Sequence, residues 1–361
     1  MSSQTDPRWR NKWWRLANLY KIVDKKSNLV KLKLNLSQRR IRKAILPGIL
    51  AHTPIRHYDL KCRQSGVSTF WLLYYADHAF WHPNTFVGIQ AQDRDTLDFL
   101  WEVVRRAHEN MPKSIRPELR KDNAKTLSLA KTNSRIIVSL RILSTTIHKL
   151  HVSEYPLCDP KEIKQTLAAC PPTADVTLEG VSAGVNHAYS KWQECKVPGS
   201  GYTTVFHPWF LQGEYREPVP AGFVVRPTEE EVRAAMRAKS KFGVVVDDGQ
   251  LLWRRTMRRE LGGKFQELYA EDEETCFLES GEHFFDNQKI KRLLDEADSY
   301  NRTNPPAEET SAHVAWESPE SGCVYAAGAD VAEGVGGDYS VLAIFNVTRR
   351  RMAFRYRARV G

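Results

Sequence analysis

Lys61, Arg63, Gly66, Ser68 and Thr69 fall within one ten-residue stretch, Leu60-Lys61-Cys62-Arg63-Gln64-Ser65-Gly66-Val67-Ser68-Thr69. Two cations, a glycine and paired hydroxyls at this spacing suit the cradling of a polyphosphate. In the pattern G-x-x-x-x-G-K-[ST], backbone N–H groups and a helix N-terminus surround the phosphates, a lysine neutralises them and a hydroxyl holds Mg²⁺. Aligned on Gly66, the hydroxyl is Ser68, but Val67 stands at the lysine position and Lys61 at that of the first glycine. The lysine has moved to the other end of the loop. A flexible ammonium acts as a point charge and reaches the β- and γ-phosphates from that side, with Arg63 as a second cation. Gln64, Ser65, Gly66, Val67 and Thr69 complete the candidate ATP-binding loop. The plain alternative is an ordinary strand-to-helix turn.

A second half of such a site is an apolar strand ending in two acids, one helping to hold Mg²⁺ and the next polarising the attacking water. Ile147-His148-Lys149-Leu150-His151-Val152 ends at Ser153-Glu154, so the first acid is a serine and Glu154 is the candidate base. A strand-end glutamate in water is the alternative. His148 and His151 sit three apart, which on a strand points them to opposite faces and argues against a metal pair. Upstream, Gln38 carries an amide that donates and accepts at once, as the edge of adenine requires, although a solvated helix position explains it equally. Asp175 to Gly184 supplies a strand and a small-residue turn containing Ser182, and Ser, Ala and Gly are common turn residues anyway. Near the end, Cys323 to Asp330 is a strand closing on an aspartate. Glycines nearby leave the backbone room, and Asp330 suits one ligand of a two-metal nuclease, with Asp338 a weaker second candidate. A hairpin built on turn-forming Asp and Gly is the alternative there.

Lys-x-Arg-Gln-x-Gly-x-Ser-Thr resembles the deviant Walker A of large terminase subunits, the ATPases that pump DNA into tailed-phage heads. Leu150-His151-Val152-Ser153-Glu154 resembles the terminase Walker B in which serine replaces the aspartate. Asp175 to Gly184 looks like their coupling motif, with Ser182 as the matching hydroxyl, and Gln38 holds a position similar to their upstream glutamine. The segment Trp14 to Ile22 is similar to the N-terminal arm of one terminase branch, and Cys323 to Phe345, with its Gly337-Asp338-Tyr339-Ser340 turn, to the first strand pair of the RNase H-like nuclease. The order of these motifs from Trp14 to about Val347 carries the resemblance.

The resemblance implies that Lys61, Arg63 and the loop amides bind ATP phosphates, Ser68 holds Mg²⁺, Glu154 orients water and Ser182 reports hydrolysis. It implies double-stranded DNA, a small terminase subunit and a portal protein as partners, and a homo-oligomeric ring on the portal. A host-cytoplasmic location outside the mature virion follows from the same resemblance. A complete nuclease would add two divalent metals, Mg²⁺ or Mn²⁺. The sequence stops at Gly361 in what reads as a third nuclease strand, so the nuclease is expected to be incomplete and DNA cleavage by this chain alone is not expected. The competing classes are another nucleic-acid-stimulated P-loop ATPase of the helicase kind, and a non-catalytic nucleotide- or DNA-binding remnant.

The elements that must position these residues read as an α/β chain. Strand, loop, helix, strand, helix from Ile55 to Ala107 opens a doubly wound domain, and with the resemblance implies an ASCE-type P-loop ATPase with a central, mostly parallel sheet, followed by the first strands of an RNase H-like domain. Ser37 reads as the N-cap of a helix to about Ile45, closed by Pro47. Helices are expected after the loop to about Phe80, at Leu97 to Ala107, near Glu229 to Ala238 and from Gln250 to Leu261. A hairpin is expected to turn at Thr132-Asn133-Ser134. The chain divides as a basic aromatic arm (1–35), an ATPase domain (36–303) whose linker subdomain starts at about 221, a Pro-rich linker (304–311) and the nuclease start (312–361). Within the linker subdomain Arg255 is a candidate arginine finger, and Glu271 to Glu274 reads as a solvated acidic surface.

Of 361 residues, 42% are hydrophobic and 27% charged, enough for a sizeable core in two domains. No apolar run is long enough for a membrane span, so no membrane role is expected. Six scattered cysteines without a C-x-x-C pair fit free thiols in a reducing compartment. The net charge of +10 is concentrated in residues 1–43, where thirteen Lys or Arg face only Asp6 and Asp24. There Arg8, Arg10, Lys12 and Arg15 interleave with Trp9, Trp13, Trp14 and Tyr20, a mixture suited either to phosphate contacts with aromatic support or to an amphipathic helix packed on the core.

Overall fold

A computed structural model describes residues 7–278 except 124 and 144, together with 292–293, 296–297, 299–300, 302–331 and 339–358. The chain forms two units, Met1–Glu282 and His283–Gly361.

The first unit opens with α1 (Lys12–Asn18), the two-stranded ribbon β1 (Lys21–Val23) and β2 (Leu29–Lys31), and α2 (Leu36–Leu50). Strand β3 (Arg56–Lys61) leads into α3 (Val67–Trp81), and β4 (Phe86–Gln90) into α4 (Arg94–Glu109). Then come β5 (Leu119–Asn123), β6 (Thr126–Leu129), β7 (Arg135–Ser139), β8 (Lys149–Val152), α5 (Pro160–Ala168), β9 (Asp175–Gly180), α6 (His187–Lys196) and β10 (Thr203–His207). Helices α7 (Glu229–Phe242), α8 (Asp248–Leu261), α9 (Lys264–Leu268) and α10 (Thr275–Leu278) follow.

One eight-stranded sheet runs β10-β3-β9-β8-β4-β7-β6-β5. Pairing is parallel from β10 to β7 and antiparallel only at the β7-β6-β5 end. Strand β9 is inserted between β3 and β8. The expected hairpin is β6–β7. Parallel strands place all their carboxyl ends on one edge, where ligands bind in open α/β sheets, so Lys61, Ser153, Gly180 and His207 arrive together.

Helix α3 is the core element. Val67, Phe70, Trp71, Leu72, Leu73 and Tyr75 are buried around its whole circumference, which marks a helix enclosed on all sides. Strand β3 is central yet carries His57, Asp59 and Lys61, all buried. A buried carboxylate needs partners, and Asp59 has three: His57 Nε2 at 3.0 Å and His207 Nε2 at 2.7 Å on one oxygen, and the Trp71 indole N–H at 2.7 Å on the other.

Two sequence expectations are corrected nearby. The N-cap of α2 is Asn35 instead of Ser37, because Asn35 and Gln38 close a reciprocal capping box. Pro47 lies inside α2, which continues to Leu50.

The basic arm packs its aromatics on α3: the Trp13 ring lies 6.4 Å from Phe70 and 5.8 Å from Tyr74, and Arg8 and Arg10 remain exposed. The arm is fixed by a buried ion pair. Arg15 donates twice to Asp77 of α3, at 2.8 and 2.6 Å, and Tyr20 donates to the same carboxylate at 2.7 Å.

The second unit holds a five-stranded antiparallel sheet in the order β11-β12-β15-β14-β13, from β11 (Glu308–Glu309), β12 (His313–Ala315), β13 (Tyr325–Asp330), β14 (Ser340–Asn346) and β15 (Arg351–Ala358). Strand β11 falls within the expected linker. Asp330 ends β13 opposite Val341 and is exposed, and Asp338 lies outside the described residues.

Removing one member of a buried charge pair leaves the other uncompensated. Asp77→Ala is expected to lower unfolding stability by about 3–5 kcal/mol in urea titrations followed by tryptophan fluorescence. Replacing Arg15 by Met and Asp77 by Leu together is expected to cost much less.

Candidate active site

The loop after β3 is anchored at its entrance. The Cys62 N–H donates to the His207 carbonyl at 2.9 Å and the Arg63 N–H to the Leu268 carbonyl at 2.7 Å. Gln64 then takes a left-handed conformation (φ 53°), as does Gly66 (φ 77°). Gly66 is required twice over: for that φ, which glycine adopts without penalty, and because an added Cβ would stand 3.0 Å from Gln38 Nε2 and 3.1 Å from Asn35 Nδ2. Those two amides brace the loop from behind, Gln38 donating to the Gly66 carbonyl at 2.8 Å and Asn35 to the Ser65 carbonyl at 2.8 Å. Gln38 Oε1 accepts from the Asn35 N–H at 3.0 Å, so both ends of its amide are engaged here.

Beyond Gly66, α3 begins with no side-chain cap. The N–H groups of Val67, Ser68 and Thr69 occupy the first helical turn, whose donors lack intrahelical partners. Ser65 Oγ is buried with no hydrogen-bond partner among the described residues. An uncapped N-terminus of a fifteen-residue helix beside an orphaned hydroxyl fits an anion.

From the other side, β8 delivers Ser153 and Glu154. Glu154 sits at φ 51°, ψ 45°, a left-handed geometry uncommon outside glycine. Gly180 at the end of β9 leaves room for this turn, since a Cβ there would collide with Pro156 Cδ and lie 3.3 Å from Glu154 Cα. The Glu154 carboxylate accepts from Lys61 Nζ at 2.6 Å and from the Val181 N–H at 3.3 Å.

Lys61 also lies 3.2 Å from Glu179 Oε2, and Glu179 Oε1 accepts from Ser153 Oγ at 2.7 Å. Glu179 is 0% exposed and Lys61 5%. Burial alone would lower the Lys61 ammonium, but Glu154 and then Glu179 outweigh it and hold it above its ordinary value. His151 stands behind this cluster, its Nε2 3.6 Å from Glu179 Oε1 and its Nδ1 3.1 Å from Thr177 Oγ1. Burial, only partly offset by Asp59, lowers its imidazole to about 3. His148 points elsewhere, accepting the Phe86 N–H, so the two histidines do not converge.

A cavity of about 440 Å³ opens over these groups, lined by Arg63, Ser68, Ser153, Glu154 and Val181, with Phe99 at its rim. The structure therefore brings together Lys61, Arg63, Gly66, Ser68 and Glu154. Ser182 is buried just beneath, donating to the Glu267 carbonyl at 3.3 Å. Helix α9 thus touches the loop through Leu268 and the β9 turn through Glu267.

One expectation for the helical region changes. Glu271 is buried instead of solvated, accepting from Arg254 at 2.6 and 2.9 Å and from Trp209 at 2.9 Å. Arg255, the candidate finger, pairs with Glu231 at 2.7 and 2.8 Å within this chain. The residue that sequence reasoning passed over is Glu179, and its signal was an acid near the end of a fully buried parallel strand.

Among solved structures the chain is similar to the HK97 bacteriophage large terminase, with 11% identity and a TM-score of 0.55, covering 94% of this chain and 65% of that one. It is also similar to the ATPase domain of the Thermus phage P74-26 large terminase (13% identity, TM-score 0.44, 66% of this chain and 94% of that one). A third is the large terminase of the thermophilic bacteriophage D6E in complex with ATP-gamma-S (10% identity, TM-score 0.46, 87% and 64%). The HK97 likeness gives the fold, which is that of a phage large terminase; the chain spans 65% of that protein's length. No protein-family model matches the sequence, and no curated protein matches it.

The unfolded chain takes up a proton at His151 near 6.5 that the folded protein accepts only near 3. Stability from this neutral imidazole is present above pH 6.5 and is lost as pH falls toward 3. Unfolding free energy is expected to decline below pH 6.5, with a slope shallower by about one proton in His151→Gln.

Proposed function

We propose that this chain is a large terminase subunit, an ATP-hydrolysing motor that translocates double-stranded viral DNA into a procapsid. The observation that carries the reading is the convergence of Lys61, Ser68 and Glu154 at an uncapped helix N-terminus, on the carboxyl edge of a sheet with β9 between β3 and β8. The D6E protein was crystallised with ATP-gamma-S and, separately, with ADP, which supports a nucleotide in the corresponding cavity here.

In this reading the α3 amides and Ser65 Oγ bind phosphate oxygens, with Lys61 and Arg63 as counter-charges. Ser68 would hold Mg²⁺ together with the phosphates, and the ion would supply further charge neutralisation. Glu154 orients and polarises the attacking water once Lys61 turns toward the phosphates. Ser182 passes the occupancy of the site to α9 through its bond to the Glu267 carbonyl. Gln38, with both ends of its amide engaged, fixes the loop instead of reading the adenine edge.

The exposed cations of the arm suit the phosphates of DNA. A small terminase subunit, a portal protein and a ring of copies are the proposed partners, in the host cytoplasm and outside the mature virion. No described helix is long and apolar enough to cross a membrane. The antiparallel β13-β14-β15 meander, with Asp330 ending its first strand, supports an RNase H-like unit in which Asp330, and Asp338 beyond the described residues, would serve a two-metal nuclease.

The test is steady-state ATP hydrolysis with and without double-stranded DNA. Glu154→Gln is expected to lower kcat by about 10²–10⁴-fold while nucleotide still binds. A parent chain that binds no nucleotide with Mg²⁺ and DNA present would sink the reading.

A further inference from the structure

A single ammonium lies between two carboxylates in this site, and only one of the two is needed to polarise water. Lys61 Nζ is 2.6 Å from Glu154 and 3.2 Å from Glu179. The side chains differ in access, Glu154 being 21% exposed at the cavity and Glu179 0%. Ser153, at the strand end where a second acid would ordinarily stand, spends its hydroxyl on Glu179 at 2.7 Å.

We propose that Glu179 is the positioning carboxylate of the site. From β9 it serves as the fixed counter-ion of Lys61, so that Glu154 can be released to the substrate water. The inference rests on the ATPase reading and assigns a role to a residue that reading does not use.

The physical argument is one of competition. A glutamate ion-paired to lysine is a poor water-polarising group, because the ammonium already neutralises the charge that would draw the proton. Lys61 must leave Glu154 for that carboxylate to act. If Glu154 were the only carboxylate on Lys61, its release would leave the buried ammonium without a counter-charge, which is costly. Glu179 removes that obstacle. Its own position is fixed by Ser153 Oγ and by total burial in β9, and the Asp59↔Glu179 register aligns it with the strand that carries Lys61. The carboxylate therefore tethers Lys61 without entering the cavity.

The experiment compares three proteins: the parent, Glu179→Gln, and the transposed pair Ser153→Asp with Glu179→Ser, which restores a carboxyl–hydroxyl couple with its members exchanged between β8 and β9. Each is measured for thermal midpoint, for affinity toward a fluorescent ATP analogue in Mg²⁺ buffer, and for DNA-stimulated ATP hydrolysis. Glu179→Gln is expected to keep its fold and to bind nucleotide within about threefold of the parent. Its kcat should fall about 100-fold, as expected when a reacting group is misplaced by about an ångström. The transposed pair is expected to recover to within about tenfold of the parent kcat.

Parental kcat in Glu179→Gln overturns the proposal, and so does a transposed pair that folds yet turns over no faster than Glu179→Gln. If Glu179→Gln fails to fold, the transposed pair alone decides: turnover there supports the proposal and its absence overturns it. A parent that does not bind nucleotide fails earlier, before any variant is compared, and takes the ATPase reading down with the inference.

Discussion

The buried Lys61 ammonium and its two carboxylates join the carboxyl ends of three neighbouring parallel strands. Lys61 closes β3, Glu154 follows β8, and Glu179 comes from β9 between them. A lone charge at this depth would cost several kcal/mol, so each member of the trio makes the others tolerable. The arrangement holds only if the parallel register places all three at the same height, and Asp59↔Glu179 with Val152↔Leu178 does so. Glycines at 66 and 180 are the local price of that convergence, because both positions lie too close to neighbouring side chains or backbone for a Cβ.

Much of this was legible in the sequence. The loop between Lys61 and Thr69 advertises itself by residue type, and the strand-loop-helix reading around it matches β3 and α3. The turn at Thr132-Asn133-Ser134 joins β6 and β7, as alternation on both sides implies. What escaped was pairing between distant polar groups. Ser37 looks like an N-cap by type, but Asn35 closes the reciprocal box with Gln38, and the same Gln38 braces Gly66 twenty-eight residues away. Glu271 looked solvated because it sits in an acidic run, yet Arg254 and Trp209 come from other elements to bury it. Local sequence does not encode such partners, since they are supplied by tertiary packing.

Strand β3 shows the same limit. His57, Asp59 and Lys61 alternate through it and would suggest a half-exposed strand. It is instead central, with Asp59 partnered by His207 and Trp71 and Lys61 by Glu154 and Glu179. Helix α9 is a quieter example: two of its carbonyls receive the Arg63 amide and the Ser182 hydroxyl, contacts made by backbone that no residue type announces.

Helix α3 begins after Gly66 and is clamped toward its other end by Arg15 and Tyr20 on Asp77. Fifteen residues of helix span about 22 Å, and enclosure on every side leaves little freedom to bend. The rod places the loop and the basic arm in mechanical series. Gly66 before the first turn of α3 and the Arg15–Asp77 pair toward its other end therefore lie on one continuous helix, so the loop and the arm share a single supporting element.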